Sequence, residues 1–387
     1  MAAVRSGYIA RESKVGTHEI ARLAVFANSI FFGRITTYIN NLHPVHDIGM
    51  YSLVEEIIDA AISQWEFTLA PLHPDADPIR QRVQYDAVVY EDDPEYWPEE
   101  AGPQAEIGED EDTHNERRYE WYEESRILIQ PEPVDFSPVA RPEPFDLREK
   151  FKDRGLQVIV KLANIQLTPD HSLYEGGSWH VEGQIVSIYF FSRLTRLLTT
   201  TRTQNEHIVA TAIYYYSNEN ITSSNLAFRH QVDTTAATMF NYPQNHHSWL
   251  SDIFNCDSDG PGVQDAGSVL CKEGRLLTFP NILQHHVEPF RLEDPTKPGH
   301  RKIVALFLVD PNLKILSTAK VPCQRKDWWL EYKATNPNSV VDHEFADFPL
   351  TMEDAKELRL ELMEERKIHD DDQREYFELS TFALCEH

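Results

Sequence analysis

The sequence predicts an α+β chain, with an all-β core of sandwich or barrel type over roughly 150–325 and helical additions on either side of it. Three observations predict this. Between Leu156 and Val309, short runs rich in β-branched and aromatic residues recur, each bounded by Gly, Pro, Asn or Asp. Outside that stretch the apolar residues repeat at helical spacing instead. A length of 387 residues, 41% of them hydrophobic and 26% charged, suits one large domain with appendages, or two.

In chain order, the run Ile20-Ala-Arg-Leu-Ala-Val-Phe-Ala-Asn-Ser-Ile-Phe-Phe reads as a soluble amphipathic helix. Arg22 interrupts it, and Glu12, Lys14 and Glu19 precede it, which argues against a secretory leader. A second helix is expected from Ser52, with Ser52-Leu-Val-Glu55 as a capping box and Val54, Ile57, Ile58, Ala61, Ile62 and Trp65 as its apolar face. Residues 91–112 mix acids with Pro94, Pro98, Pro103, Gly102 and Gly108, and read as a solvated loop. This completes a helical N-terminal region over 1–130. Five prolines between Pro131 and Pro144 mark a linker over 131–150. The core, 151–330, contains the strand candidates Leu156–Leu167, His207–Tyr216, Arg275–Phe279 and Lys302–Val309. Trp328 and Trp329 are expected to pack a C-terminal helix onto it. That acidic extension, 331–387, opens a helix at Thr351-Met-Glu-Asp354, with Ala355, Leu358 and Leu362 on one face.

The net charge of −27 argues against a nucleic-acid partner, whose phosphates demand clustered Lys and Arg. Residues 91–126 and 342–387 carry 22 of those negative charges, so the rest of the chain is close to neutral. No run approaches the ~18 apolar residues of a membrane helix. Four cysteines without a CxxC pair exclude a dense disulfide framework, and a reducing, cytoplasmic setting is expected.

The chemistry concentrates in two motifs. In Gly176-Gly-Ser-Trp-His180-Val-Glu182-Gly, residues i and i+2 of an extended segment share a face, so His180 and Glu182 can reach one point. Downstream, Gly274-Arg-Leu-Leu-Thr-Phe-Pro leads to His285-His286-Val-Glu-Pro289, a strand followed by a turn that carries another imidazole. Two histidines and a carboxylate on a β scaffold suit Fe(II), occupying one face of an octahedron and leaving positions open. Sixteen residues past His285, Arg301 opens the next strand, where a guanidinium could hold a carboxylate by two parallel hydrogen bonds.

The order HxE, G-R-L-L-x-F-P, H-x-V-x-P, then Arg, resembles the Fe(II)/2-oxoglutarate-dependent dioxygenase superfamily. More closely, Tyr38-Ile-Asn-Asn-Leu-His-Pro, Gly155-Leu-Gln-Val-Ile-Val-Lys-Leu-Ala-Asn-Ile, Gly176-Gly-Ser-Trp-His-Val-Glu-Gly, Phe279-Pro-Asn-Ile-Leu-Gln-His and Leu384-Cys-Glu-His resemble DUF4246, a largely fungal family of unknown function. The superfamily resemblance implies a double-stranded β-helix, or jelly roll. It also implies Fe(II) on His180, Glu182 and His285, 2-oxoglutarate anchored by Arg301, and oxidation of a small molecule by dioxygen through hydroxylation, desaturation or cyclisation. His285 fits H-x-V-x-P better than His286 does, and Arg291 is the fallback anchor. Glu182 stands where Asp is commoner, and the span from His285 to Arg301 is longer than usual. A cupin-like metalloenzyme that does not use 2-oxoglutarate and a non-catalytic β-sandwich are the competing readings.

One segment is foreign to its surroundings. Residues 185–204 contain no acid and carry Phe190 and Phe191. They read as an insertion, through either a retained intron or a loop that covers the pocket.

Overall fold

The computed structural model describes residues 22–24, 34–72, 85, 87–91, 102–132, 135, 146–183, 206–232, 241–242, 247–336 and 349–379. The insertion at 185–204 and most of the proline-rich linker lie outside them. The described strands are β1 (Arg22–Ala24), β2 (Arg34–Thr36), β3 (Tyr90–Glu91), β4 (Ile127–Leu128), β5 (Val158–Leu167), β6 (Leu173–Tyr174), β7 (Ile208–Glu219), β8 (Asn225–Gln231), β9 (Val263–Leu270), β10 (Leu276–Pro280), β11 (Gln284–Val287), β12 (Phe290–Arg291) and β13 (Gly299–Val309). The helices are α1 (Ile48–Leu69), α2 (Glu111–Ser125), α3 (Leu147–Lys150), α4 (Trp249–Phe254), α5 (Lys326–Thr335) and α6 (Met352–Glu378). The protein is thus a mixed α+β chain built on antiparallel sheets.

The chain forms two compact units, each assembled from separated segments. The first takes residues 1–78, 141–228 and 267–373; the second takes 79–140, 229–266 and 374–387. Helix α1 belongs to the first unit. Its buried face, Tyr51, Val54, Ile58, Ala61, Ile62, Trp65 and Leu69, joins one core with Val158, Val160, Ala210, Ala212, Val304, Leu306 and Leu308.

Those strand residues line one face of a four-stranded antiparallel sheet ordered β10-β7-β13-β5. The alternate residues Ile159, Ile213, Tyr215, Ala305 and Phe307 face the other way. There they pack with Leu226 and Phe228 of β8 and with Cys271, just past β9. The second sheet is ordered β11-β8-β9. With both faces covered, β7 and β13 read as near-continuous apolar runs, which is why they were legible. Tyr215 alone of the three consecutive tyrosines faces the interior between the sheets. Tyr214 packs under α1, and Tyr216 is exposed.

Several expected elements differ. Arg22–Ala24 pairs as a strand with Arg34–Thr36, not as part of an amphipathic helix; cross-strand pairing overrides the local helical spacing there. Helix α1 begins four residues before Ser52, whose hydroxyl turns back to the Ile48 carbonyl at 3.4 Å. Glu55 accepts a hydrogen bond from the Ile35 N–H at 2.6 Å instead of closing a capping box. Within 91–112, Glu111 and Asp112 belong to α2, which Asp110 caps. Arg117 folds Glu106 and Glu109 back onto that helix at 3.0 and 2.8 Å, so this part of the acidic loop is ordered by its own cation. At α6, Thr351 and Asp354 do form a reciprocal cap, each side chain accepting from the other's backbone N–H at 3.1 Å. Trp328 packs edge-on to Tyr38 and His43 in the loop before α1.

In the second unit, Val88, Trp249, Leu250 and Cys256 form a small core. Arg126 lies over the Tyr90 ring and donates to the Ser248 hydroxyl at 2.7 Å.

Candidate metal centre

His180 and His285 meet across a two-residue antiparallel bridge. The His180 N–H donates to the His285 carbonyl at 3.2 Å, the return bond is 2.9 Å, and the ring centroids are 4.5 Å apart. His285 therefore sits on β11 rather than in a turn. Gly176 makes the approach possible: its φ is +100°, and a Cβ there would come within 3.1 Å of the Val287 carbonyl.

The His180 Nδ1–H donates to the Ser178 carbonyl at 2.8 Å. That bond leaves Nε2 as the unprotonated nitrogen, 3.9 Å from Glu182 Oε1. Glu182 is buried, and Asn281 holds its backbone from both sides. His285 is 3% exposed, packed beside Phe279 and Phe228. Burial pushes its pKa down to about 3; the neighbouring His180 acts in the same direction and Glu182 opposes. His285 is therefore neutral, the form that binds metal.

One donor atom from each of His180, Glu182 and His285 lies within 4.8 Å of the others. Two imidazoles and one carboxylate at that spacing can hold a divalent ion, with Fe(II) a good match to the donor set.

The remaining candidates separate clearly. His286 points away from the triad and packs on Trp179, with ring centroids 4.1 Å apart. Arg291 is exposed on β12. Arg301 lies inside, in the long β13, opposite Ile165 and Asn218, with a β-bulge between Lys302 and Ile303. It is 3% exposed, and among the described residues no carboxylate pairs with it. His207, with φ of +45°, immediately precedes β7, and His230 is half-buried on β8. His247 lies beside Tyr242 in the second unit, and His246 is outside the described residues. Sequence reasoning missed Asn281 and the Ser178 carbonyl as supports. Asn281 falls within the Phe279-Pro-Asn-Ile-Leu-Gln-His motif, but nothing local reveals its partner.

A second cluster, His43, His46 and Glu331, has donor atoms equally close. Its hydrogen bonds disfavour a metal. His43 Nδ1 accepts from the Val45 and His46 N–H groups at 3.2 and 3.1 Å, which places the ring proton on Nε2, the atom facing Glu331 at 3.5 Å.

Among the described residues no helix is long and apolar enough to cross a membrane. No curated protein matches the chain. Among solved structures, a bsmA homologue from Methylobium petroleophilum PM1 is similar at 11% identity and a TM-score of 0.23, covering 48% of this chain and 57% of its own. The chain thus spans little more than half the length of that protein. IDO from Bacillus thuringiensis is similar at 8% identity and a TM-score of 0.21, with 48% and 68% covered. The hydroquinone 1,2-dioxygenase PnpCD is similar at 11% identity and a TM-score of 0.17, with 63% and 98% covered. Residues 24–332, the span holding the triad and Arg301, match the family described as Protein of unknown function (DUF4246), and the chain belongs to that family.

Proposed function

We propose that the protein is a non-haem Fe(II), 2-oxoglutarate-dependent oxygenase that oxidises a small molecule in the cytoplasm, on a jelly-roll scaffold. The observation that carries this reading is the triad of a half-buried His180 with the buried Glu182 and His285, together with a buried Arg301 that no carboxylate of the described residues pairs. The strand order supports the scaffold: along the chain, β7, β10 and β13 of one sheet alternate with β8–β9 and β11 of the other.

Each residue has a definite task. His180, Glu182 and His285 would hold Fe(II) on one face, with the Ser178 carbonyl and Asn281 fixing two of the three. Arg301 offers a fork of N–H donors to the far carboxylate of 2-oxoglutarate. Phe228, Phe279 and Tyr215 keep water from the space between. When bound, iron and 2-oxoglutarate supply the oxidising chemistry with dioxygen, and the chain supplies position. Hydroxylation, desaturation and cyclisation are all compatible with this arrangement.

The test is an anaerobic titration of the full chain with Fe(II) and then 2-oxoglutarate, following the weak visible absorption of a chelated keto acid. The expected result is a band in the wild type that is lost in Arg301→Met. Bound iron without the band would favour a metalloenzyme that does not use the keto acid. Failure to bind iron would sink the oxygenase reading.

A further inference from the structure

Helix α1 carries two apolar stripes, and its own chain covers one of them, the stripe packed on the four-stranded sheet. The second runs through Met50, Leu53, Ile57, Ala60, Gln64 and Phe67, at successive spacings of 3, 4, 3, 4 and 3 residues. That alternation is the pattern of a helix–helix seam, and at 3.6 residues per turn it keeps to one face. Met50 is 37% exposed, Leu53 52% and Phe67 46%; Ala60 and Gln64 are exposed too, and Ile57 is half-buried. Single surface leucines are ordinary, but this seam runs the length of a 22-residue helix and lacks a partner among the described residues.

Charge and shape together choose the occupant. Helix α1 contains no Lys or Arg, and three of its four acids turn to their own chain. Glu55 accepts from the Ile35 N–H at 2.6 Å, Asp59 pairs with Arg148, and Glu66 accepts from the Leu147 N–H at 2.8 Å. Glu56 is the acid left beside the seam, so nothing there asks for a basic partner. The seam is instead its own complement. Turned antiparallel about the midpoint between Ile58 and Asp59, Met50 meets the second copy's Phe67, Leu53 meets its Gln64, and Ile57 meets its Ala60. The two Glu56 side chains then stand about 7–8 Å apart along the helix axis, where water and salt leave little repulsion.

We infer that α1 is the contact through which two copies of this chain associate, antiparallel about a two-fold axis. A helix about 33 Å long and about 12 Å wide presents a footprint on the order of 400 Å2. Val45 and Ile48, 67% and 59% exposed, extend it at one end. The total over both copies is on the order of 1,000 Å2, the low end for a specific interface, so the dimer is reversible rather than permanent.

Sedimentation equilibrium of the full chain between about 1 and about 100 µM tests this. The wild type is expected to move from one chain toward two across that range. Leu53→Lys is expected to weaken association by about tenfold or more at an unchanged thermal midpoint, because Leu53 lies outside the core. Adding Gln64→Glu to Leu53→Lys is expected to restore association. Residues 53 and 64 lie eleven apart in one helix, too far to pair within a chain, but they oppose each other between antiparallel copies. Leu360→Lys, an equally exposed leucine on α6, is expected to leave association unchanged. A wild type that stays a single chain at about 100 µM would overturn the inference and leave the seam to a partner of different sequence. A dimer indifferent to Leu53→Lys, or one that Gln64→Glu fails to rescue, would overturn it as well.

Discussion

Asn281 takes the place of a neighbouring strand for Glu182, 99 residues away. Its carboxamide oxygen accepts from the Glu182 N–H at 3.0 Å, and its Nδ2 donates to the Glu182 carbonyl at 2.6 Å. The same Nδ2 also donates to the Ile208 carbonyl at 3.0 Å, and the Asn281 backbone N–H reaches the Val209 carbonyl at 3.0 Å. One side chain, 1% exposed, thus ties the carboxylate's segment to the start of β7.

Removing that side chain should damage the site through its support. Asn281→Ala leaves the Glu182 N–H and carbonyl without these bonds, at a cost of about 1–3 kcal/mol for each group left unsatisfied. Metal affinity is expected to fall about 10–100-fold, the range for supports behind a ligand. Asn281→Asp keeps the acceptor for the Glu182 N–H but loses both donors, so an intermediate loss is expected. Calorimetric metal titration beside urea unfolding measures both effects. Wild-type affinity in Asn281→Ala would show that Glu182 needs no such tie.

The two histidine clusters predict different metal stoichiometries under mutation. The triad presents a free imidazole nitrogen and a neutral His285, whereas His43 already commits its Nδ1 lone pair to two backbone N–H groups. Titration should therefore show one tight site per chain. His180→Ala or Glu182→Gln is expected to weaken it by more than about 100-fold, while His46→Ala leaves it intact. Loss of the tight site in His46→Ala would reverse the assignment.

These residues also show how far the sequence could be read. His180 and Glu182 were legible because alternate residues in an extended segment share a face, a rule that needs no tertiary contact. Ile303–Val309 was legible because a strand buried on both faces is apolar throughout. Asn281 and the Ser178 carbonyl were not, since their roles depend on which distant segments meet. The start of α1 was misread for a related reason: Ser52 and Glu55 have the spacing of a cap, but the Ile35 N–H, 20 residues upstream, claims the Glu55 carboxylate.

Arg301 should cost the ligand-free protein stability. A buried cation that no carboxylate of the described residues pairs gives up hydration that the Cys271 sulfur and the Tyr215 side chain only partly replace. Arg301→Met keeps the length and removes the charge, so the metal-free, diacid-free variant is expected to be more stable by about 1–4 kcal/mol. On the proposed reading, 2-oxoglutarate should raise the thermal midpoint of the wild type and leave that of Arg301→Met unchanged. A variant less stable than wild type under these conditions would mean that the guanidinium is satisfied within the fold.

His285 gives the ligand-free protein a defined acid sensitivity. Its ordinary pKa is about 6.5 in the unfolded chain, whereas in the folded chain burial, reinforced by His180, holds it at about 3. Above pH ~6.5 both states are neutral and the residue contributes no pH dependence. Between the two values the unfolded chain takes up a proton that the folded chain refuses. Stability therefore falls as pH falls, by up to about 1.4 kcal/mol per pH unit. The comparison to make is urea unfolding of metal-free wild type and His285→Gln at pH 7 and pH 5. The wild type should lose about 2 kcal/mol more than the variant over that interval. His230, whose pKa burial also lowers, is present in both proteins and cancels. Equal losses would mean that His285 accepts a proton in the folded state, so that protons would compete with metal for the triad at mildly acidic pH.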